Sequence, residues 1–258
     1  MRYGVGMLPP DLPDRASALF FDFDGTLVEL APQPEAVHVD PALPGELSRL
    51  GGLLGGALAI VSGRPLADID HHLALPPRFG VAGVHGAERR GADGVVRRMA
   101  VPPLDAALAP VQALAERHPM LRLERKPAGL ALHYRQAPAL EDACLAAMSE
   151  ALARSEGMAL MHGKMVVEIK PRRASKGAAV RSFLDERPFR HRRPWFFGDD
   201  VTDEAAFEFV LSVGGVAVKV GPGESLATHR LADPAAVRGW IARATSALAE
   251  TPVERVSP

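Results

Sequence analysis

The chain has no asparagine and only one cysteine, Cys144. Without asparagine there is no N-glycosylation sequon, and a lone cysteine forms no internal disulfide, so a reducing, cytoplasmic setting is expected. An excess of either charge is also missing. Lys+Arg 30 against Asp+Glu 31 leaves a formal net charge of -1, which provides no global field for nucleic acid or an anionic membrane surface. Any anion site must therefore be local. No uncharged apolar run is long enough to span a bilayer. The first seven residues, followed by Pro9-Pro10, lack the apolar stretch of a signal peptide. The expectation is a soluble protein without nucleic-acid or membrane partners.

At 258 residues and 47% hydrophobic, the chain can bury a full core and still carry a second small domain. Four short apolar runs end abruptly in polar or glycine residues. They are Ala18–Phe21 before Asp22, Ala57–Val61 before Ser62, Trp195–Phe197 before Gly198, and Gly215–Val220 before Gly221. Helix-compatible segments separate them, the texture of a parallel sheet covered by helices. In such sheets ligands collect outside the carboxyl ends of the strands, so the polar residues closing these runs should converge.

From about Leu104 to Ile169 the rhythm changes. A helical stretch leads into the alternating segments Leu121–Lys126 and Leu130–Arg135. A second helix, Leu140 to Glu156, leads into Met158–Met161 and Met165–Ile169 around His162-Gly163-Lys164. Two hairpins joined by a helix predict an α/β lid over the site. The expected division is a core over 15–103 and 171–250 with the lid over 104–170. The Gly51–Gly56 run reads as a helix end and turn, since no Lys-Ser/Thr follows it to cradle a phosphate. Val237 to Glu250 reads as a packing helix, with Trp195, Trp240 and Cys144 in the core.

The strongest chemical signal is Asp22-Phe23-Asp24-Gly25-Thr26-Leu27, directly after the first apolar run. This string arises by chance in such a chain only on the order of a few times in 10⁴. Two carboxylates flanking one residue at a turn can both enter one cleft, and Gly25 lets the backbone approach a phosphate. One carboxylate can attack phosphorus and the other can move protons to and from the leaving group and water. Like charges so close require a cation, and hard oxygen ligands beside a phosphate favour Mg²⁺. The competing account is a strand-to-turn with capping aspartates.

Gly198-Asp199-Asp200-Val201-Thr202-Asp203 forms a second acidic cluster. Alone it reads equally as a helix N-cap. Paired with the first it completes a metal loop, with Asp199 as ligand and Asp203 as ligand or water-mediated partner. Ser62-Gly63-Arg64 offers a hydroxyl and N–H groups to phosphoryl oxygens, or is simply a turn. Lys170 and Arg173 lead to Ser175-Lys176-Gly177, which begins a helix. A lysine there is badly placed for the helix dipole unless it serves an anion.

The order D-x-D-G-T, Ser, Lys-Gly, G-D-D-x-x-D resembles the four motifs of the haloacid dehalogenase superfamily of phosphohydrolases. Val84–Glu88, Leu130–Arg135 and Val166–Pro171 further resemble the trehalose-6-phosphate phosphatase family within it. The resemblance runs from about Leu19 to Trp240. It implies a doubly wound, Rossmann-like α/β core with an inserted α/β cap. It also implies a Mg²⁺-dependent phosphatase acting on trehalose 6-phosphate through an aspartyl-phosphate. Asp22 is implied as nucleophile, Asp24 as general acid/base, Ser62 and Lys176 as phosphoryl contacts, and Asp22, the Asp24 carbonyl and Asp199 as metal ligands. Gly25, Thr26, Gly63, Arg64, His85, Asp200 and Asp203 in the core are expected to face substrate, as are Lys126, Arg135, Lys164, Glu168 and Lys170 in the insert. His85 and His133 each have a structural role as the alternative. A monomer is expected, functionally coupled to a trehalose-6-phosphate synthase. Another sugar phosphatase for sucrose phosphate or a monosaccharide phosphate, a sugar-phosphate mutase, and a non-catalytic sugar-phosphate sensor are the competing functions.

Overall fold

The computed structural model describes residues 8–31, 33, 36–163 and 165–250. In chain order the elements begin with β1 (Ser17–Phe21), α1 (Leu43–Leu53), β2 (Leu58–Val61), α2 (Leu66–Leu73) and β3 (Gly80–Gly83). They continue through β4 (Glu88–Arg90), β5 (Val96–Arg98), α3 (Asp105–Arg117), β6 (Arg122–Lys126), β7 (Gly129–His133), α4 (Glu141–Ala153), β8 (Met158–Gly163) and β9 (Val166–Pro171). The chain closes with α5 (Lys176–Leu184), β10 (Arg193–Gly198), α6 (Glu204–Ser212), β11 (Val216–Val220), β12 (His229–Leu231) and α7 (Pro234–Glu250). All four apolar runs are strands.

Eight strands form one sheet in the order β12-β11-β10-β1-β2-β3-β4-β5, parallel from β12 to β3 and antiparallel at β4 and β5. The chain leaves β1 toward β2 and β3, then returns on the other side of β1 as β10. That reversal opens a crevice at the carboxyl ends of β1 and β10. Helices cover both faces, because consecutive residues of β1 point opposite ways. Phe20 packs on Phe183 of α5, whereas Phe21 packs on Trp240 of α7. β1, β2 and β11 are buried along their whole length, which is why they read as unbroken apolar runs rather than as alternation.

The segment between β5 and α5 forms a second, wholly antiparallel sheet in the order β6-β7-β9-β8. Both expected hairpins are present. Alternation divides this sheet into two faces. Leu130, Leu132, Val167 and Ile169 join Ala107 and Val111 of α3 and Cys144 and Met148 of α4 in an apolar cluster. Glu124, Lys126, His133 and Glu168 occupy the other face, one residue out of phase with their apolar neighbours. A third cluster of Val84, Ala87, Ala128 and Ala174 joins the β6–β7 turn to the large-sheet unit.

Candidate active site

Asp22 follows β1 and its N–H donates to the Phe197 carbonyl of β10 at 2.9 Å, which places it in the crevice. It is 4% exposed. Lys176 opens α5, whose N-cap Ser175 accepts from the Ala178 N–H at 3.0 Å. Its Nζ lies 2.8 Å from Asp22 Oδ1 and 2.7 Å from Asp203 Oδ1. Burial drives the Asp22 carboxyl well above the usual carboxylate range; Lys176 opposes that, while Asp203 and Asp199 add to it. Burial would lower the Lys176 ammonium, yet Asp203 and Asp22 hold it above its ordinary value.

Asp203 was expected to face substrate and does not. It is fully buried; one oxygen accepts from Lys176 and the other from the N–H groups of Asp199 and Asp200, each at 3.0 Å. Its work is to shape the Asp199–Asp200 loop and orient the lysine. Asp200 caps the short turn before α6 and lines the cavity.

Asp22, Asp199 and Asp203 each offer a carboxylate oxygen within 4.8 Å of the others. Burial, followed by Asp203, pushes the Asp199 carboxyl up to about 6. Hard oxygen donors whose charge is this poorly compensated fit a divalent cation such as Mg²⁺. With Asp203 engaged elsewhere, Asp22 and Asp199 are the side chains left to hold it. Gly25 makes this approach possible. Its φ is +78°, and a Cβ there would sit 2.2 Å from Asp199 Oδ2. Thr26, expected at the substrate, is instead fully buried and donates from Oγ1 to Asp199 Oδ1 at 3.4 Å.

Ser62, 1% exposed, lines the cavity of about 580 Å³ that holds Asp22, Lys176 and Asp199. Its Oγ accepts from the Arg64 N–H at 3.1 Å. Sequence reasoning passed over Lys219 in this cavity. Its ammonium donates to the main-chain carbonyls of Asp199 and Val220, and burial holds it below its ordinary value. The available signal was a single lysine within the otherwise apolar Val216–Val220 run.

A second cavity of about 730 Å³ lies beneath the polar face of the four-stranded sheet. Asp24, Gly63, His85, Arg135 and Glu168 line both cavities. Lys126 grips the two oxygens of Glu168 at 2.8 and 2.9 Å and reaches the Gly63 carbonyl at 3.5 Å. Burial alone would raise Glu168, yet His85 and Lys126 together bring it down to about 2. His133 pairs with Glu124 at 2.8 Å in the same wall; Glu124 escaped notice although it shares the alternation of Lys126. Arg64 lines this cavity, but its guanidinium is committed to Asp24. Lys170, expected at the sugar, donates to the Ala174 carbonyl and lines neither cavity. Lys164 lies outside the described residues.

A model of the trehalose-phosphatase family matches residues 20–236. A trehalose-6-phosphate phosphatase of Escherichia coli (strain K12) is 44% identical over 233 residues, covering 90% of this chain and 87% of that protein. A crystal structure of a trehalose-6-phosphate phosphatase related protein superposes with a TM-score of 0.76 at 27% identity, covering 89% of this chain and 98% of that one. The fold alone is shared with a haloacid dehalogenase-like hydrolase from Bacteroides thetaiotaomicron, with a TM-score of 0.58 at 14% identity over 90% of this chain and 99% of that one. Two carboxylates and a buried lysine at the switch point of a doubly wound sheet thus meet a sequence match over most of the chain, and the chain belongs to the trehalose-phosphatase family.

Proposed function

We propose that the chain hydrolyses trehalose 6-phosphate to trehalose and inorganic phosphate, with Asp22 as the nucleophile. The observation that carries this is the junction of the two cavities. One holds Asp22, Lys176 and Asp199, the other is walled by Glu124, Lys126, His133 and Glu168, and Asp24 and Glu168 border both. A phosphate at one end and a hydroxyl-rich sugar at the other match that division.

Asp22 Oδ attacks phosphorus as the sugar oxygen leaves, forming an aspartyl-phosphate, and water then cleaves it. Asp24 protonates the departing oxygen and later takes a proton from that water. Lys176, fixed between Asp22 and Asp203, meets the charge spreading over the phosphoryl oxygens, and the Ser62 hydroxyl contacts the same group. Asp22, Asp199 and the Asp24 carbonyl would hold Mg²⁺, which would supply charge neutralisation for nucleophile and phosphate. Glu168, Lys126 and Arg135 contact sugar hydroxyls, and the four-stranded unit, 104–170, acts as the cap over a core of 15–103 and 171–250. Closure excludes competing water.

Among the described residues no helix is long and apolar enough to cross a membrane. The same reading carries a cytoplasmic location, a monomer, and a trehalose-6-phosphate synthase as the source of substrate. Phosphate release from a panel of sugar phosphates, with Mg²⁺ and again with EDTA, tests the activity. Preference for trehalose 6-phosphate that disappears with EDTA supports it; metal-dependent release spread evenly over monosaccharide phosphates overturns the substrate.

A further inference from the structure

His85 borders both cavities with a polar side chain that has no assigned work. It is 6% exposed, and neither ring nitrogen has a hydrogen-bond partner. Buried polar atoms are rarely left so. Nε2 stands 3.6 Å from Glu168 Oε2, just beyond hydrogen-bond reach.

Three features show that the surrounding backbone is arranged around this ring. Val84 and His85 both take left-handed conformations, with φ of 49° and 54°. For β-branched Val84 that is a costly backbone state, and strain of this kind persists where the surroundings enforce it. The strained turn is tied to the Ser62–Arg64 loop by the Val84 N–H to the Arg64 carbonyl and the His85 N–H to the Ser62 carbonyl, both 2.9 Å. Gly63 lies between them outside the left-handed region, so its backbone does not require glycine; the imidazole does. A Cβ there would stand 2.6 Å from His85 Cε1 and 2.8 Å from Nε2.

We propose that His85 is a positioning residue that determines specificity, coupling a disaccharide in the larger cavity, through Glu168, to the Ser62–Arg64 loop beside the phosphoryl group. The proposal rests on the reading of Glu168 as a sugar contact. In the free protein Lys126 holds both Glu168 oxygens. A sugar hydroxyl donating to one of them loosens that grip, and a movement of under about 1 Å brings the other onto Nε2–H. Burial lowers the imidazole below its ordinary value, against Glu168 and with Lys176 and Lys126 adding to the effect, which favours the neutral ring. It then has one N–H to give. The contact made on the cap side is passed through the ring to Gly63 and the main chain on either side of it.

The test compares kcat/KM for trehalose 6-phosphate and for p-nitrophenyl phosphate in wild type, His85→Ala, His85→Phe, His85→Gln, Glu168→Ala and the His85→Ala/Glu168→Ala pair, with a melting curve for each. The non-donors Ala and Phe are expected to lose about tenfold more on the sugar phosphate than on the aryl phosphate, and Gln, which keeps an N–H, to recover most of that. The double variant should lose little more than Glu168→Ala alone, because coupled contacts do not add. Should Ala melt below the assay temperature, Phe carries the comparison. Equal losses on both substrates, losses that multiply in the double variant, or Gln no better than the non-donors overturn the proposal. A wild type that prefers a different sugar phosphate overturns only the substrate reading, and the same ratios taken on that sugar phosphate decide the role of His85.

Discussion

Arg64 grips Asp24 through two parallel bonds, Nε to Oδ2 at 2.7 Å and Nη2 to Oδ1 at 2.8 Å. The guanidinium lies over the Phe23 ring, 5.6 Å from its centroid. A fork of this kind fixes the plane of the carboxylate as well as its position. Arg64 therefore aims the carboxylate proposed to move protons. Arg64→Gln should lower kcat about tenfold while KM changes by less than about threefold. Arg64→Lys, a point charge that lacks the fork, should recover only part of the loss. Steady-state kinetics decide; a change confined to KM would make Arg64 a substrate contact instead.

Asp22→Asn keeps the shape of the buried side chain proposed as nucleophile and removes its charge. Turnover should fall by about 10³ or more, while Lys176 keeps Asp203 as its partner and the fold persists. Phosphate release and far-UV circular dichroism check both halves. Near-normal turnover would sink the covalent scheme.

At Gly25, alanine meets two obstacles at once, the left-handed φ and the Asp199 carboxylate 2.2 Å from the new Cβ. The backbone strain alone costs about 1–2 kcal/mol, and the clash displaces the Asp199 carboxylate. Gly25→Ala should melt earlier and need a higher Mg²⁺ concentration for half-maximal activity. An unchanged Mg²⁺ requirement would separate Gly25 from the metal loop.

The folded-state depression of His85 makes stability depend on pH. Its burial, opposed by Glu168 and assisted by Lys176 and Lys126, lowers it from the ordinary 6.5. Below that value the unfolded chain takes up a proton that the folded chain refuses. The contribution is thus complete above pH 6.5 and declines as the pH falls further. In urea unfolding between about pH 7 and 5, His85→Gln should lose stability less steeply than wild type. Parallel slopes would show that the imidazole takes up its proton in the fold as readily as in the unfolded chain.

Some of this molecule was determined locally. Strands buried on both faces must be apolar throughout, so β1, β2, β10 and β11 announced themselves, and the polar residues at their ends had to gather at one crevice. Alternation likewise set which side of the β6–β9 sheet is polar. The short strand β4 escaped because Glu88-Arg89-Arg90 looks like surface. It is buried through partners far away in the chain, Arg89 with Glu186 and Arg90 with Asp70, while its neighbour β5 is exposed throughout.

Tertiary structure alone decided the direction of each motif side chain. Motif membership brings Asp203, Thr26 and Arg64 near the substrate, but a carboxylate, hydroxyl or guanidinium pairs with whatever the fold brings within about 3 Å. Asp203 met Lys176, Thr26 met Asp199, and Arg64 met Asp24. The approach of His85 to Glu168 joins the turn between β3 and β4 of the large sheet to β9 of the small one, and no local pattern encodes a distance between elements whose placement depends on packing between them. Residue type and spacing therefore determined which chemistry the chain carries, and the packing of its two sheets decided which groups stand free to perform it.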